Sequence, residues 1–261
     1  MVVLDGSGQS TIRLKIAVAL AKKHEAFLIG FCALNMLRPG GHPGVEISVA
    51  DEAERVEAEF REELRFAHLQ GDWREATRDV NNALVRQARY TDVVILGQVD
   101  PDHPPPAGRH LVEDLLLTAG RPILVIPHAG LFRTLGTNVL IGWNGSREAA
   151  RALNDAIPLI DQGASVVILE ALPVGSKSGP NDTSTADVSR HLARHGIDAK
   201  TNHTVMTGIS ASDVLLSYAA DVGADLLVVG GYGHSRLREL TLGGVTRGLL
   251  QHMTLPVLMS R

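Results

Sequence analysis

The chain has 261 residues, 44% of them hydrophobic but only 4% aromatic, and a formal net charge of −4. That length suits one large domain or two ordinary ones, and a core of Val, Leu, Ile and Ala suits a buried parallel sheet. Without a run of Lys or Arg, a nucleic-acid partner is not expected. The single cysteine, Cys32, rules out an internal disulfide and any cysteine-paired zinc spacing, and fits a reducing compartment. The opening "MVVLDGSG" lacks the pattern of a secretory leader, and no apolar run approaches the roughly 18 residues that span a bilayer. A cytoplasmic protein with no membrane partner is expected.

In chain order, "VVLD" predicts a first strand closed by Asp5, Gly6 and Ser7 before a helical pattern. "AFLIGFCAL" reads as a buried strand, which makes Cys32 a small core hydrophobe rather than a reactive thiol. A long charged helix follows over about residues 49–70, with Ala53, Val56, Phe60, Leu64 and Ala67 as its packing stripe. The glutamates and arginines between them read as a solvated face laced with ion pairs. "ARYTDVVILG" and "GRPILVIP" are further strands, and "HAGLFRTLGT" (128–137) marks a boundary.

Beyond it, "NVLIGWN" reads as a strand, followed by the helix "SREAARALNDAIPLI" with Ser146 as N-cap. "SVVILEAL" is a buried strand, "TADVSRHLARHG" a helix, and "IDAKTNHTVM" a more exposed strand. "SASDVLLSYAADVG" is an amphipathic helix, "ADLLVVGG" the most apolar strand, "GGVTRGLLQHM" a short helix and "LPVLMS" the last strand. Three stretches of the first half match the second in the same order, at offsets of 133 to 139 residues. They pair "VVLDGSGQS" with "VLIGWNGSREAA", "ARYTDVVILG" with "DVGADLLVVGG", and "GRPILVIP" with "TLPVLMSR". A tandem duplication is inferred. Strand–helix alternation in each copy predicts an α/β fold: two Rossmann-like domains, 1–130 and 136–261, each an open five-stranded parallel sheet with helices on both faces.

Glycines cluster in "VVGGYGHSRLRELTLGGVTRGLL" at Gly230, Gly231, Gly233, Gly243 and Gly244. The first cluster falls at the carboxyl end of a strand, where open parallel sheets bind ligands. The second precedes a helix whose first-turn N–H groups and positive dipole end suit an anion. The pattern is neither a Walker loop nor a dinucleotide fingerprint. Tight turns alone are the competing explanation.

The spacing Gly230-x-x-Gly233, nine residues, Gly243, then Val245 and Thr246 resembles the nucleotide loop of universal stress proteins. "LDGS" at 4–7 and "GISASDVLLSYAADVGADLLVVGG" at 208–231 extend the likeness over nearly the whole chain, twice. The resemblance implies ATP or another adenine nucleotide, with or without Mg²⁺, at this loop. Carried over, Val229, Gly230, Gly233, Gly243, Gly244, Val245 and Thr246 would surround ribose and phosphates. Asn144 would stand in for the family's aspartate near base and ribose, and the backbone around Ala171 would face the adenine.

Two departures stand out: Gly244 replaces a Ser or Thr, and Asn144 replaces a carboxylate. The first removes one hydroxyl contact, worth about tenfold in affinity at most. In the first copy Gly97 remains, but "QVDPDHPPPAGRH" puts Asp100 at the second glycine position and adds three prolines. That copy is expected to be degenerate, although Asp5 is retained.

No catalytic motif or metal-ligating set is recognised. His110 and Glu113 lie three apart on a helix, and His42, His103 and His252 are scattered. His234 follows Gly233, and Arg236, Arg238 and Arg247 are candidates for phosphate contact. The expectation is a stress-response or regulatory nucleotide-binding protein with at most slow ATP hydrolysis. An interaction module that has lost its nucleotide is the alternative. Apolar last strands in both copies point to an internal pseudo-dimer and to a homodimer.

Overall fold

The computed structural model describes residues 1–37, 48–77, 79–102, 110–174, 183–232 and 244–261. The chain divides into two compact units, Met1–Leu131 and Phe132–Arg261. The first contains β1 (Val2–Leu4), α1 (Gly8–Lys23), β2 (Leu28–Ala33), α2 (Val49–Ala67), β3 (Gly71–Ala76), α3 (Val80–Ala88), β4 (Val94–Gly97), α4 (Leu111–Thr118) and β5 (Ile123–Ile126). The second contains β6 (Asn138–Trp143), α5 (Arg147–Ala156), β7 (Ser165–Pro173), α6 (Thr183–Arg194), β8 (Ala199–Met206), α7 (Ala211–Asp221), β9 (Leu226–Gly230), α8 (Gly244–His252) and β10 (Val257–Ser260).

Strands run in the order β3-β2-β1-β4-β5 in the first unit and β10-β9-β6-β7-β8 in the second, with parallel pairing. This is the α/β, Rossmann-like architecture that the alternation predicts. In each unit the order reverses beside the first strand, between β1 and β4 and between β6 and β9. That reversal opens a crevice at the carboxyl ends.

Local chemistry explains the elements. Ser146 caps α5, its Oγ accepting from the Ala149 N–H at 3.1 Å, and Ala149, Ala152, Leu153 and Ala156 form its buried face. Ser48 caps α2 in the same way through the Asp51 N–H. Ala53, Val56, Phe60 and Leu64 are the buried stripe of α2, with Phe60 packed at 5.4 Å between ring centroids from Trp73; Ala67, at its end, is half-buried. Arg61–Glu57 and Arg65–Glu62 ion pairs lie along its outer side. Glu52 breaks the expected pattern: instead of lying on the solvated face it is fully buried. Cys32 is buried, and desolvation, reinforced by the charges of Glu75 and Asp5, pushes its thiol up to about 12. β8 is largely exposed along its length. Among the described residues, no helix is long and apolar enough to cross a membrane.

Candidate functional site

The second unit brings three of the residues singled out by sequence to one end of its sheet. Asn144 follows β6 directly, Ala171 lies near the end of β7, and Gly230 ends β9, with β9, β6 and β7 adjacent. Asn144 is exposed. Its Oδ1 accepts from the Ser146 N–H at 3.1 Å and the Ser146 hydroxyl at 2.7 Å, and the intervening Gly145 takes φ +71°. The carboxamide oxygen is therefore committed to the turn, and the NH₂ is the group that Asn144 can offer outward.

β7 pairs with β6 only as far as Trp143↔Glu170, but continues to Pro173 along β8. The Ser165 N–H donates to the Thr137 carbonyl, and in that alternation the last contact of the ladder takes the Ala171 N–H to Trp143, so on the β6 side it is the Ala171 carbonyl that lies beyond the ladder and seeks another partner. Immediately before it, Glu170 is buried, and its Oε2 lies 3.1 Å from His203 Nδ1 on β8. Sequence reasoning missed this pair; the signal was one carboxylate in an otherwise apolar strand.

Gly230 is required by packing. A Cβ there would stand 2.5 Å from the Ala149 nitrogen and 2.6 Å from the Glu148 carbonyl carbon, so the first turn of α5 rests on the end of β9. Gly230 is not among the glycines at positive φ; the left-handed residue is Tyr232, at +58°. The Tyr232 N–H points to Thr246 Oγ1 at 3.4 Å, which ties the first turn of α8 to the chain leaving β9. Thr246 is buried and accepts this contact from within the unit. Gly244 opens α8 with no heavy atom within 4 Å of a would-be Cβ, and Val245 is exposed beside it. Val229 is buried, its Cγ1 lying over Gly142. Gly233, Gly243, His234, Arg236 and Arg238 lie outside the described residues, while Arg247 is exposed on α8.

The first unit has the same turn with different surroundings. Asp5 Oδ1 accepts from the Ser7 N–H at 3.1 Å and the Ser7 hydroxyl at 2.6 Å, and it also pairs with Arg13 at 2.7 Å. Burial alone would raise the Asp5 carboxyl, but the Arg13 guanidinium and the Ser7 bonds outweigh it and hold the group below its ordinary range. Arg13 is buried, donates to the Val3 carbonyl at 3.2 Å and occupies the space that a Cβ on Gly97 would need. Above the turn, the Glu52 carboxylate sits against Gly6. Arg55 grips it through Nε at 3.0 Å and Nη2 at 2.7 Å while also donating to the Gly6 carbonyl at 3.2 Å. Asp100 accepts from the Asp102 N–H at 3.0 Å, and Gln98 Oε1 accepts from the His128 N–H at 3.1 Å. His110 lies 3.5 Å from Glu113 on the surface.

A sequence model of the universal stress protein family matches residues 137–261. The match takes in nearly the whole of the second unit, which carries the universal stress protein sequence pattern. Universal stress protein Slr1230 of Synechocystis is 28% identical over 176 residues, 65% of this chain. The match spans only 58% of that relative's length. A universal stress protein of Archaeoglobus fulgidus superposes on 100% of this chain and 97% of its own, with a TM-score of 0.71 at 16% identity. The universal stress protein fold therefore extends through both units. A universal stress protein solved in complex with cAMP aligns with 48% of this chain and 97% of its own, at 23% identity and a TM-score of 0.37.

Proposed function

We propose that the second unit binds ATP or another adenine nucleotide, with or without Mg²⁺, and that the protein serves a stress-response or regulatory role. One observation carries this reading: the Tyr232–Thr246 contact holds the first turn of α8 at the end of β9, beside the crevice between β9 and β6. The first-turn N–H groups of α8 have no intrahelical acceptors, and they favour a phosphate. The Ala171 carbonyl beyond the β6–β7 ladder provides an acceptor for a base, and the Asn144 NH₂ a donor for ribose or base. The expected chemistry is binding, with slow ATP hydrolysis as its upper limit.

Titration calorimetry with ATP and AMP on the wild type and on Gly233→Asp tests the proposal. One site per chain is expected, lost in the variant; equal affinity for the two proteins would remove the glycine loop from the explanation. A second reading, an interaction module without nucleotide, is favoured by the commitment of the Asn144 oxygen to Ser146 and by the missing hydroxyl at Gly244. It predicts no thermal shift with any adenine nucleotide.

A further inference from the structure

We propose that His191 and His195 on α6 form a surface site for a borderline divalent metal ion, with Cu²⁺ as the tightest-binding member of the class. Residues four apart on a helix lie one above the other, and the two rings stand 4.9 Å apart between centroids at 62°. His195 follows the last residue of α6, where the chain tightens into a turn whose N–H reaches the Leu192 carbonyl at 2.9 Å, and the ring-to-ring distance shows that His195 still stands over His191.

The outer shell is already built. Asn154, on α5, donates its Nδ2 to the Ala150 carbonyl at 2.8 Å. That bond fixes the orientation of the amide and turns Oδ1 toward His191 Nε2 at 3.2 Å. An oxygen at that position requires Nε2 to carry the proton, which leaves the Nδ1 lone pair of His191 to bind a metal. A ring N–H donated to a carbonyl oxygen is the arrangement that orients metal-binding histidines. Arg190 and Arg151 are matched by Asp187 and Asp155, and Arg194 beside His195 is exposed to solvent, which screens the repulsion an incoming cation meets from it. Imidazole suits Zn²⁺, Ni²⁺ and Cu²⁺, and affinity for a nitrogen site peaks at Cu²⁺. No group of three or more His, Cys, Asp or Glu residues able to hold a metal stands together among the described residues. The chain therefore supplies two imidazoles, and water completes the shell.

The test is Cu²⁺ titration of the full untagged chain, followed by calorimetry and electron paramagnetic resonance, with His191→Ala, His195→Ala and Asn154→Ala beside the wild type. The wild type should show one site with a two-nitrogen signature and a rise in melting temperature on Cu²⁺ addition. Each histidine variant should bind at least tenfold more weakly and lose the two-nitrogen signature. Asn154→Ala should keep that signature but bind about tenfold more weakly, as expected for loss of an outer-shell partner. All three positions lie at the surface, so unchanged melting temperatures without metal would confirm intact folds; His252→Ala serves as the control for scattered histidines. Equal Cu²⁺ affinity in the wild type and the histidine variants, or a wild-type spectrum with a single nitrogen, would overturn the proposal.

Discussion

The ends of β1 and β6 make the same turn from different residues. Asp5 and Asn144 each accept the N–H and hydroxyl of the serine two positions on, and Gly6 and Gly145 take nearly the same positive φ, 73° and 71°. The difference lies eight residues later. Arg13 is buried beneath Asp5, whereas the corresponding position beneath Asn144 is the buried Ala152. A carboxylate over an arginine is compensated; the same carboxylate over an alanine would lose that partner. The carboxamide at Asn144 supplies the same acceptor oxygen without a charge. The carboxamide thus matches the uncharged surroundings that the chain itself supplies at Ala152.

Breaking this arrangement from the side of the first unit should have the largest effect. Arg13→Ala leaves the Asp5 carboxylate without its cation and should cost about 3 kcal/mol in urea unfolding. The double variant Asp5→Asn/Arg13→Ala, which copies the second unit's combination, should recover part of that loss; no recovery would mean that packing of the arginine stem, not charge, sets the cost. Next comes Gly230→Ala, which drives a methyl into the backbone of α5 and should cost about 1–3 kcal/mol in the same assay.

Acid should separate the two turns more gently. The Asp5 carboxyl is held below its ordinary value in the folded chain, so the unfolded state binds more protons. The stability that Asp5 contributes is complete above about pH 4 and is lost as the pH falls through its lowered folded value. Urea midpoints between pH 7 and pH 2 should fall less steeply in Asp5→Asn/Arg13→Ala than in the wild type. The smallest effect is expected at Gly244→Ser: with open space around its Cβ, stability should stay within about 0.5 kcal/mol. Adenine-nucleotide affinity should rise by up to about tenfold, read by calorimetry.

The strand–helix alternation, the tandem repeat, the Ser146 cap and the α2 stripe were legible because each rests on residues close in sequence. The burial of Glu52 was not, because it depends on Gly6 and the close approach of two distant segments. Nor was the place of Arg13, which sits on a helix whose pattern gives no sign that a guanidinium will turn inward under β1. The Tyr232–Thr246 contact escaped for a related reason: a tyrosine at positive φ has no sequence signature, whereas a glycine there would have been suspected at once. The His191–His195 pair was not singled out from the sequence, because what sets it apart, the orientation supplied by Asn154, depends on a neighbouring helix.

The seat of α5 on Gly230 bears on how such chains are read. Gly97 holds the equivalent place in the first unit and is kept there by Arg13, although the rest of that loop has diverged. A glycine at this position therefore certifies the fit of one helix against one strand. Two sequences can share it while differing in what they hold, and its presence in the first unit answers to the packing of Arg13 there.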